Sequence, residues 1–285
     1  MIVITGASGQ LGRLVIAQLL ETVHASQIVA AVRDPEKVAD LAAQAVQVRQ
    51  ADYSQPDTLD RAFEGAEKVL LISSSEVGQR VAQHRAVIDA AQRAGVQLLG
   101  YTSVLHADSS ALGLAEEHQQ TEAALAQSGV PAVVLRNGWY HENYTAGVAH
   151  AVANGAHYGS AGEGRISSAA RADYAAAAAV VLTSTDDEAG KVYELAGDEP
   201  YTLKEFAAQI AQQSGKPVVY TDLPEADYKA ALLHAGLPAF VAELLANSDA
   251  AAAKGALFDN GRQLSRLIGR PTTPLSASVA DALSL

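Results

Sequence analysis

Cysteine is absent from the 285-residue sequence, and this absence excludes several kinds of chemistry. A chain without cysteine has no disulfide framework, no thiolate metal site and no cysteine nucleophile. Its eight histidines show neither the HxH nor the HExxH spacing that is typical of zinc sites. The sequence therefore predicts a protein without a bound metal ion.

Basic residues are scarce relative to acidic ones. The chain has 20 Lys and Arg residues against 32 Asp and Glu residues, which gives a net charge of −12 at pH 7. Because this excess repels nucleic acids and anionic membranes, we expect neither as a partner. The excess is still compatible with a local basic pocket for a phosphate group.

Long apolar runs are also missing. The run Ala175–Leu182 is rich in alanine and too short to span a bilayer. The first apolar run starts at residue 2, which leaves no room for a signal peptide. We therefore expect a cytoplasmic protein with no membrane span.

What the sequence does contain is a regular alternation of strand and helix patterns over its first 140 residues. Hydrophobic residues make up 49% of the chain, enough for a sizeable core. The alternation predicts an α/β fold in which a doubly wound parallel sheet carries helices on both faces. The predicted strands are Ile2–Ile4, Gln27–Val32, Val46–Gln50, Lys68–Ile72, Val96–Thr102 and Ala132–Leu135. The predicted helices are Pro35–Ala43, Pro56–Phe63, Val77–Ala94 and Glu116–Gln127.

Beyond residue 140 the pattern is less regular. A glycine-rich loop is predicted over Gly155–Gly164, followed by a helix over Arg171–Leu182 and further short helices and strands. We expect a Rossmann domain over residues 1–140 and a smaller α/β lobe over residues 141–285 that covers the carboxyl ends of the strands. The helix at 171–182 could still pack on the first domain.

The stretch GASGQLG, from Gly6 to Gly12, places three glycines three residues apart. It lies between the short β-branched run Ile2–Ile4 and an apolar stripe at helical spacing that starts at Leu14. A glycine-rich turn between a strand and a helix is the setting of a dinucleotide phosphate site, where the first helical N–H groups and the helix dipole favour an anion. The spacing resembles that of the short-chain dehydrogenases. We therefore expect cofactor contacts from Gly6, Ala7, Ser8, Gly9, Gln10, Leu11 and Gly12.

The end of the second strand indicates which dinucleotide binds. An NAD site usually carries an acidic residue there, which accepts hydrogen bonds from the ribose. Here the strand ends in Val32 and Arg33, and the planar fork of an arginine suits a 2′-phosphate. This favours NADP(H). The alternatives are that Arg33 pairs with Asp34 or Glu36, and that Asp34 allows NAD to bind.

Two further loops lie where such a fold holds its cofactor. Asp52, after the third strand, is placed to reach the adenine amino group, or is an ordinary turn aspartate. Ser73, Ser74 and Ser75 follow the fourth strand, where small hydroxyl residues allow close approach of the nicotinamide ribose. They are equally suited to capping the next helix.

The Tyr-x-x-x-Lys pair of ordinary short-chain dehydrogenases is absent, so their proton donor for alcohol–ketone chemistry is missing. His118, near the start of the helix after the fifth strand, could stand in for the lysine. The alternative is a solvated histidine on the exposed face of that helix, and from the residues alone this alternative is favoured.

Four segments carry a more specific resemblance: LLISSSEVGQR (70–80), GYTSVLHADSS (100–110), LRNGWYHENY (135–144) and RADYAAAAA (171–179). Together with the glycine turn and the tail KGALFDNGRQLSRLIGRPTT (254–273), they resemble the NmrA-like family of atypical short-chain dehydrogenases, and in particular its quinone-reducing bacterial members. The resemblance covers essentially the whole chain. It implies a cytoplasmic enzyme that uses NADPH to reduce a small-molecule quinone without flavin.

The resemblance also implies cofactor contacts beyond the glycine turn, Arg33 and the three serines. These are Asn137, Gly138, Trp139, Tyr140, His141 and Glu142. Several relatives carry a lysine at the position of His118, which favours His118 as a group that lies near the nicotinamide or the substrate oxygen. On the substrate side we expect Tyr140 as an aromatic wall and Asn143 as a hydrogen-bond donor to a quinone oxygen. Trp139 is at least as well explained as a packing residue.

Three functions remain open from the sequence. The first is NADPH-dependent quinone reduction by hydride transfer, which needs orientation of the two rings more than a strong acid. The second is a redox sensor that binds NADP(H), turns over little and regulates a partner, as regulators of the same family do. The third, a reductase of another activated double bond, is disfavoured because the lysine of such relatives is missing. A homodimer is expected only because dimers are the commonest assembly.

Overall fold

The computed structural model describes residues 1–284, which divide into two compact units. The first unit contains residues 1–107, 116–137 and 172–193. The second contains residues 108–115, 138–171 and the residues from 194 onward. The domain boundary between residues 140 and 141 stays a prediction.

A parallel sheet forms the centre of the first unit. Its strands are β1 (Ile2–Thr5), β2 (Ile28–Val32), β3 (Gln47–Gln50), β4 (Lys68–Leu71), β5 (Leu98–Val104) and β6 (Ala132–Asn137). The next strand along the chain, β7 (Ala156–Gly159), belongs to another sheet, and β8 (Val192–Leu195) forms the edge of this one. The strand order is β3-β2-β1-β4-β5-β6-β8, and the pairs among the first six strands are parallel. The order of those six is that of a Rossmann fold. The predicted doubly wound sheet is confirmed.

Helices of the first unit follow the strands with short connections. They are α1 (Gln10–Leu20), α2 (Ala39–Ala43), α3 (Pro56–Ala62), α4 (Arg80–Ala94), α5 (Ala115–Ser128) and, after α6 (His141–Thr145) and α7 (Val148–Asn154) of the second unit, α8 (Arg171–Thr183). The predicted helix at 35–43 is instead a 3₁₀ turn, Pro35–Val38, joined to the short α2. The predicted start of α4 at Val77 is wrong because residues 77–79 form a turn.

The core of the first unit is built from the apolar strands. β2 and β5 are both buried along their whole length, and β2 is a continuous apolar run rather than an alternating one. Phe63, Leu71 and Tyr101 are fully buried in the cluster that these strands share with α3 and α4. This packing fixes the strand ends, from which the loops of the candidate site leave.

The second unit contains a two-stranded parallel sheet of β7 and β9 (Val219–Asp222). Its remaining helices are α9 (Leu203–Ser214), α10 (Glu225–His234), α11 (Ala239–Ala252), α12 (Gln263–Ile268) and α13 (Leu275–Leu283). A capping box between Thr202 and Glu205 begins α9. The segment 155–164, predicted as a loop, contains β7. Over residues 1–284, none of the helices combines the length and the apolar character that a membrane crossing requires.

Candidate active site

A cavity of about 250 Å³ lies at the carboxyl ends of the strands in the first unit. It sits where the connection reverses between β1 and β4, the usual ligand position in such sheets. Eight of the residues predicted to bind the cofactor line it: Gly6, Ser8, Gly9, Arg33, Asp52, Ser73, Ser74 and Ser75. Five lining residues were not predicted: Ala51, Tyr53, Ile72, Glu76 and Gln83.

The glycine turn has the backbone geometry that its spacing predicts. Gly6 has a φ of +60°, a conformation that disfavours side chains, and its carbonyl accepts the N–H of Gly9 at 2.9 Å. A Cβ on Gly12 would lie 2.6 Å from the Gly6 oxygen, so this position also requires glycine. Gly9 caps α1 without any side-chain hydrogen bond, which leaves the start of the helix suited to an anionic ligand.

The other residues of the turn do not line the cavity. Ala7 is fully buried, and its N–H reaches the carbonyl of Ala31 at 3.4 Å. Leu11 is buried on the inner side of α1, while Gln10 is the exposed first residue of that helix. Their predicted role as cofactor contacts stays a prediction.

Arg33 makes an ion pair with Glu76, rather than with Asp34 or Glu36. The guanidinium lies 2.7 Å from Oε1 of Glu76, and the two side chains are 68% and 43% exposed. Nε2 of Gln83 donates to the other oxygen of Glu76 at 2.8 Å. Asp34 instead accepts the N–H of Glu36 as a cap. The charge of Arg33 is therefore held at the cavity by a weak, exposed pair.

Tyr53 ties the loops at the ends of β1 and β4 together. Its hydroxyl lies 2.5 Å from Oγ1 of Thr5 and donates to the carbonyl of Ile72 at 2.8 Å. The neighbouring Asp52 accepts from the N–H of Ser54 and from Gln55, which matches the turn interpretation. Asp52 also lines the cavity, so the two interpretations are compatible.

The backbone of the Ser73–Ser75 loop is held by side chains from other elements. Oγ1 of Thr102 accepts the N–H of Ser73 at 2.9 Å, and Nε2 of His84 accepts the N–H of Ser74 at 2.9 Å. Nε of Arg80 donates to the carbonyl of Ser74 at 2.6 Å. The Ser74 hydroxyl accepts the N–H of Glu76, as the capping alternative expected. Both peptide groups that flank Ser74 are thus fixed.

The ring of His84 has a defined protonation state. Its Nε2 accepts a hydrogen bond, so the ring proton of the neutral form is on Nδ1, 2.9 Å from Oγ1 of Thr121. Burial, with the positive charge of Arg80, lowers the pKa of His84 to about 3. The imidazole is therefore neutral near pH 7 and acts as a fixed hydrogen-bonding link.

His118 is buried, so its interpretation as a solvated histidine is wrong. Its Nδ1 lies 2.6 Å from the hydroxyl of Tyr101, and only 5% of the residue is exposed. Burial, with the positive charge of Arg80, lowers the pKa of His118 to about 3. A neutral imidazole carries no positive charge near pH 7 and does not reproduce the electrostatic effect of a lysine.

Asn137 ends β6 in the first unit. It is buried, and its Oδ1 has no hydrogen-bond partner among residues 1–284. A buried amide oxygen of this kind usually has a donor. It thus suits contact with a ligand.

The segment Gly138–Glu142 lies in the second unit and is held there by backbone bonds. Ala169 pairs with the carbonyl of Trp139 at 3.1 Å and with the N–H of His141 at 2.9 Å. Both carboxylate oxygens of Glu142 accept the N–H of Arg171, whose guanidinium lies 4.6 Å from the ring centre of Tyr140. Asn143, the next residue, lines a separate cavity of this unit.

No group of three or more potential metal-ligating His, Asp or Glu side chains occurs within the described chain.

Comparison with known proteins gives the family. The model of the NmrA-like family matches residues 1–281. Quinone oxidoreductase 2 of Escherichia coli strain K12 is 58% identical over 285 residues, covering 100% of this chain and 99% of that protein.

Two solved structures extend this similarity to the fold. The crystal structure of the NADPH-dependent quinone oxidoreductase QOR2 from Escherichia coli, complexed with NADPH, has a TM-score of 0.97 at 57% identity and covers 99% of this chain and 100% of that one. The triphenylmethane reductase of Citrobacter sp., complexed with NADP(H), has a TM-score of 0.95 at 39% identity and covers 99% of this chain and all of that one. The chain belongs to the NmrA-like family.

Proposed function

We propose that the protein is an NADPH-dependent quinone oxidoreductase. The observation that carries the proposal is the cavity of the first unit, where the glycine turn, Arg33 and the serine loop meet. The full-length likeness to an NADPH-dependent quinone oxidoreductase supports it. Reduction of a quinone takes one hydride and one proton and gives the hydroquinone and NADP⁺.

The cavity residues fit the phosphates of NADPH. Gly6 supplies the left-handed φ of the turn, and Gly12 lets the start of α1 pack directly against the Gly6 carbonyl. The uncapped start of α1 suits the pyrophosphate. Arg33 is the cation at the end of β2, and its planar fork matches a 2′-phosphate. This arrangement supports the preference for NADPH over NADH.

When bound, NADPH supplies the hydride, so the protein's residues have to bind and orient. His84 and Arg80 hold the two peptide groups that flank Ser74, and we call this arrangement the clamp on Ser74. The clamp fixes the loop against which we propose that the nicotinamide ribose rests. We propose that the buried Oδ1 of Asn137 accepts a hydrogen bond from the cofactor. The remaining contacts that we propose are those of Gly138–Glu142.

The protein needs no strong acid for this reaction. A quinone is a good hydride acceptor, and water can protonate the product oxygen. His118, Tyr140 and Asn143 are our proposals for the substrate side. Since its pKa is lowered to about 3, His118 acts there as a neutral hydrogen-bonding group and not as an imidazolium acid.

Oxidation of NADPH by benzoquinone tests the proposal, with NADH and protein-free mixtures as controls. We expect saturable turnover that prefers NADPH. Tight NADPH binding without turnover across several quinones contradicts the proposal and supports the redox sensor. A sensor also has to bind the oxidised and reduced cofactors with different affinity, because a ligand without such a preference shifts no equilibrium.

We further propose a cytoplasmic location, a homodimer and the absence of nucleic-acid partners. The net charge of −12 supports the last of these. Light scattering after size-exclusion chromatography tests the dimer, and a mass equal to that of one chain contradicts it.

A further inference from the structure

The second unit contains its own cavity, of about 360 Å³, lined by residues of α6, α7, β7, α10 and α11. Most of the lining is apolar. Five of the lining residues are alanines, whose small side chains leave open the space that larger ones would fill, namely Ala146, Ala151, Ala156, Ala231 and Ala235. An apolar cavity of about 150 Å³ already binds benzene, so this one has room for a larger ring system.

One wall of the cavity is polar because Asp249 and Tyr144 both line it. The Tyr144 hydroxyl donates to Oδ1 of Asp249 at 3.0 Å, and the N–H of Ser160 donates to Oδ2 at 3.0 Å. Asp249 is only 3% exposed, and both donors are neutral groups. A carboxylate accepts about four hydrogen bonds, so the group retains acceptor capacity.

A second polar group belongs to the same lining. His157, on β7, packs its ring 5.0 Å from that of Phe206, and burial lowers its pKa to about 4. Its Nε2 is buried and has no hydrogen-bond partner among residues 1–284. A buried nitrogen without a hydrogen-bond partner is destabilising, so such atoms are uncommon where a side chain has only a packing role.

Apolar walls, room for a ring and two under-used polar groups together define the ligand. We propose that this cavity binds an aromatic compound of one or two rings that carries a hydroxyl group. The O–H donates to Asp249, and the rings lie against the alanines and Tyr228. Phenols and hydroquinones share this chemistry. In one respect the inference rests on the proposed function: hydroquinones are its product class.

The proposal discriminates between oxidation states. A hydroquinone has O–H donors, whereas a quinone has only acceptor oxygens. A quinone oxygen that faces a carboxylate gains no hydrogen bond and leaves Asp249 under-satisfied. The cavity therefore prefers the reduced, hydroxylated ring.

Binding of naphthol to the protein without NADPH tests this directly, with naphthol methyl ether as the matched probe that lacks the O–H. Isothermal titration calorimetry gives both affinities. We expect naphthol to bind about tenfold tighter than the ether, the effect of one hydrogen bond of about 1.4 kcal/mol. Equal affinities, or no binding of either probe, overturn the proposal.

Three variants locate the site. Ala231→Phe fills the cavity and should lower the affinity for both probes. Asp249→Asn should remove only the preference for naphthol over its methyl ether. Asp198→Asn is the matched control because Asp198 also accepts from a side-chain hydroxyl and a backbone N–H, those of Ser265 and Thr272, but does not line the cavity. We expect it to bind both probes as the wild type does. Unchanged binding by a folded Ala231→Phe variant overturns the proposal even where Asp249→Asn fails to fold.

Turnover separates this inference from the proposed function. Benzoquinone reduction without naphthol binding contradicts the cavity proposal alone. Preferential naphthol binding without NADPH oxidation contradicts the proposed activity alone and leaves the cavity as a ring-binding site of another kind.

Discussion

At the scale of single residues, the groups in and around the cavity of the first unit differ in exposure and in charge. Arg33 is exposed and loosely paired, so it is available to an incoming phosphate. His84 and His118 are buried and neutral, so they act through fixed geometry. The acid–base properties of these residues follow from burial more than from residue type.

The Arg33–Glu76 pair predicts two effects of opposite sign. Arg33→Ala should weaken NADPH binding by about tenfold to a hundredfold, because it removes a charged hydrogen-bond donor worth about 1.5–3 kcal/mol, and should leave NADH binding nearly unchanged. Glu76→Gln should strengthen NADPH binding, since it removes a competing carboxylate. Fluorescence titration with each cofactor measures both. Equal losses for NADPH and NADH in Arg33→Ala would contradict a 2′-phosphate role.

Buried neutral histidines also predict acid sensitivity. The folded pKa of His118 is lowered to about 3, below the unfolded value near 6.5, so protons bind preferentially to the unfolded chain. The free energy of unfolding should fall as the pH drops below 6.5, by about 2 kcal/mol per such histidine at pH 5. Urea titrations of wild type and His118→Gln should show a shallower pH dependence in the variant.

The exposed His234 supplies the control for that experiment. His234→Gln should keep the pH dependence of the wild type. If His118→Gln and the wild type lose stability in parallel between pH 7 and pH 5, the conclusion that His118 is buried in its neutral form is wrong.

At the scale of elements, the turns that follow strands form the cavity, and they are held by side chains from α4, from β5 and from the loop after β3. The glycine turn joins β1 to α1, and the serine loop joins β4 to α4. α4 contributes both Arg80 and His84 to the clamp on Ser74.

Gly12→Ala should push the start of α1 away from the turn that follows β1. Its Cβ would lie 2.6 Å from the Gly6 oxygen and 2.7 Å from Cα of Ala7, both backbone atoms that cannot move without the turn. We expect a loss of about 1–3 kcal/mol in stability, as for other overpacked sites, together with weaker NADPH binding. Gly147→Ala is the control, because its φ is −92° and the nearest atom is 3.5 Å away. Unchanged melting of Gly12→Ala would contradict this account of the turn.

The clamp on Ser74 predicts a graded series at position 84. His84→Leu removes the acceptor for the Ser74 N–H and should weaken NADPH binding, whereas His84→Gln keeps an acceptor oxygen and should restore part of the affinity. Titration with NADPH and thermal melting measure the two effects. If Leu and Gln variants lose stability equally and bind NADPH like the wild type, His84 has a packing role only.

The sequence predicted these elements unevenly, for physical reasons. The β-branched and glycine patterns around Gly6 are local, so the strand, turn and helix were predictable from them. The clamp was not, because Ser74 meets His84 and Arg80 only when α4 folds back over its own strand end. The pairing of Arg33 with Glu76 joins residues 43 positions apart, whereas the sequence suggested nearer acids. β7 was missed because its four residues, Ala156–Gly159, carry too little periodicity.

At the scale of the whole molecule, two ligand sites of different character emerge. The first unit has a glycine-rich, partly cationic cavity suited to a dinucleotide, in a chain whose net charge is −12. The second unit has an apolar cavity with a buried carboxylate, suited to a hydroxylated ring. Full-length similarity to quinone oxidoreductase 2 supports quinone reduction as the activity of the chain, whereas the role of the second cavity is our proposal.

The measurement that tests this account most directly is a single-turnover reaction of flavin-free protein with NADPH and benzoquinone in a stopped-flow instrument. NADPH that carries deuterium at the transferred position of nicotinamide C4 is compared with ordinary NADPH. The account predicts rapid oxidation of NADPH that deuterium slows, since the hydride passes directly to the quinone. Oxidation that requires added flavin, or no oxidation despite bound NADPH, would contradict it.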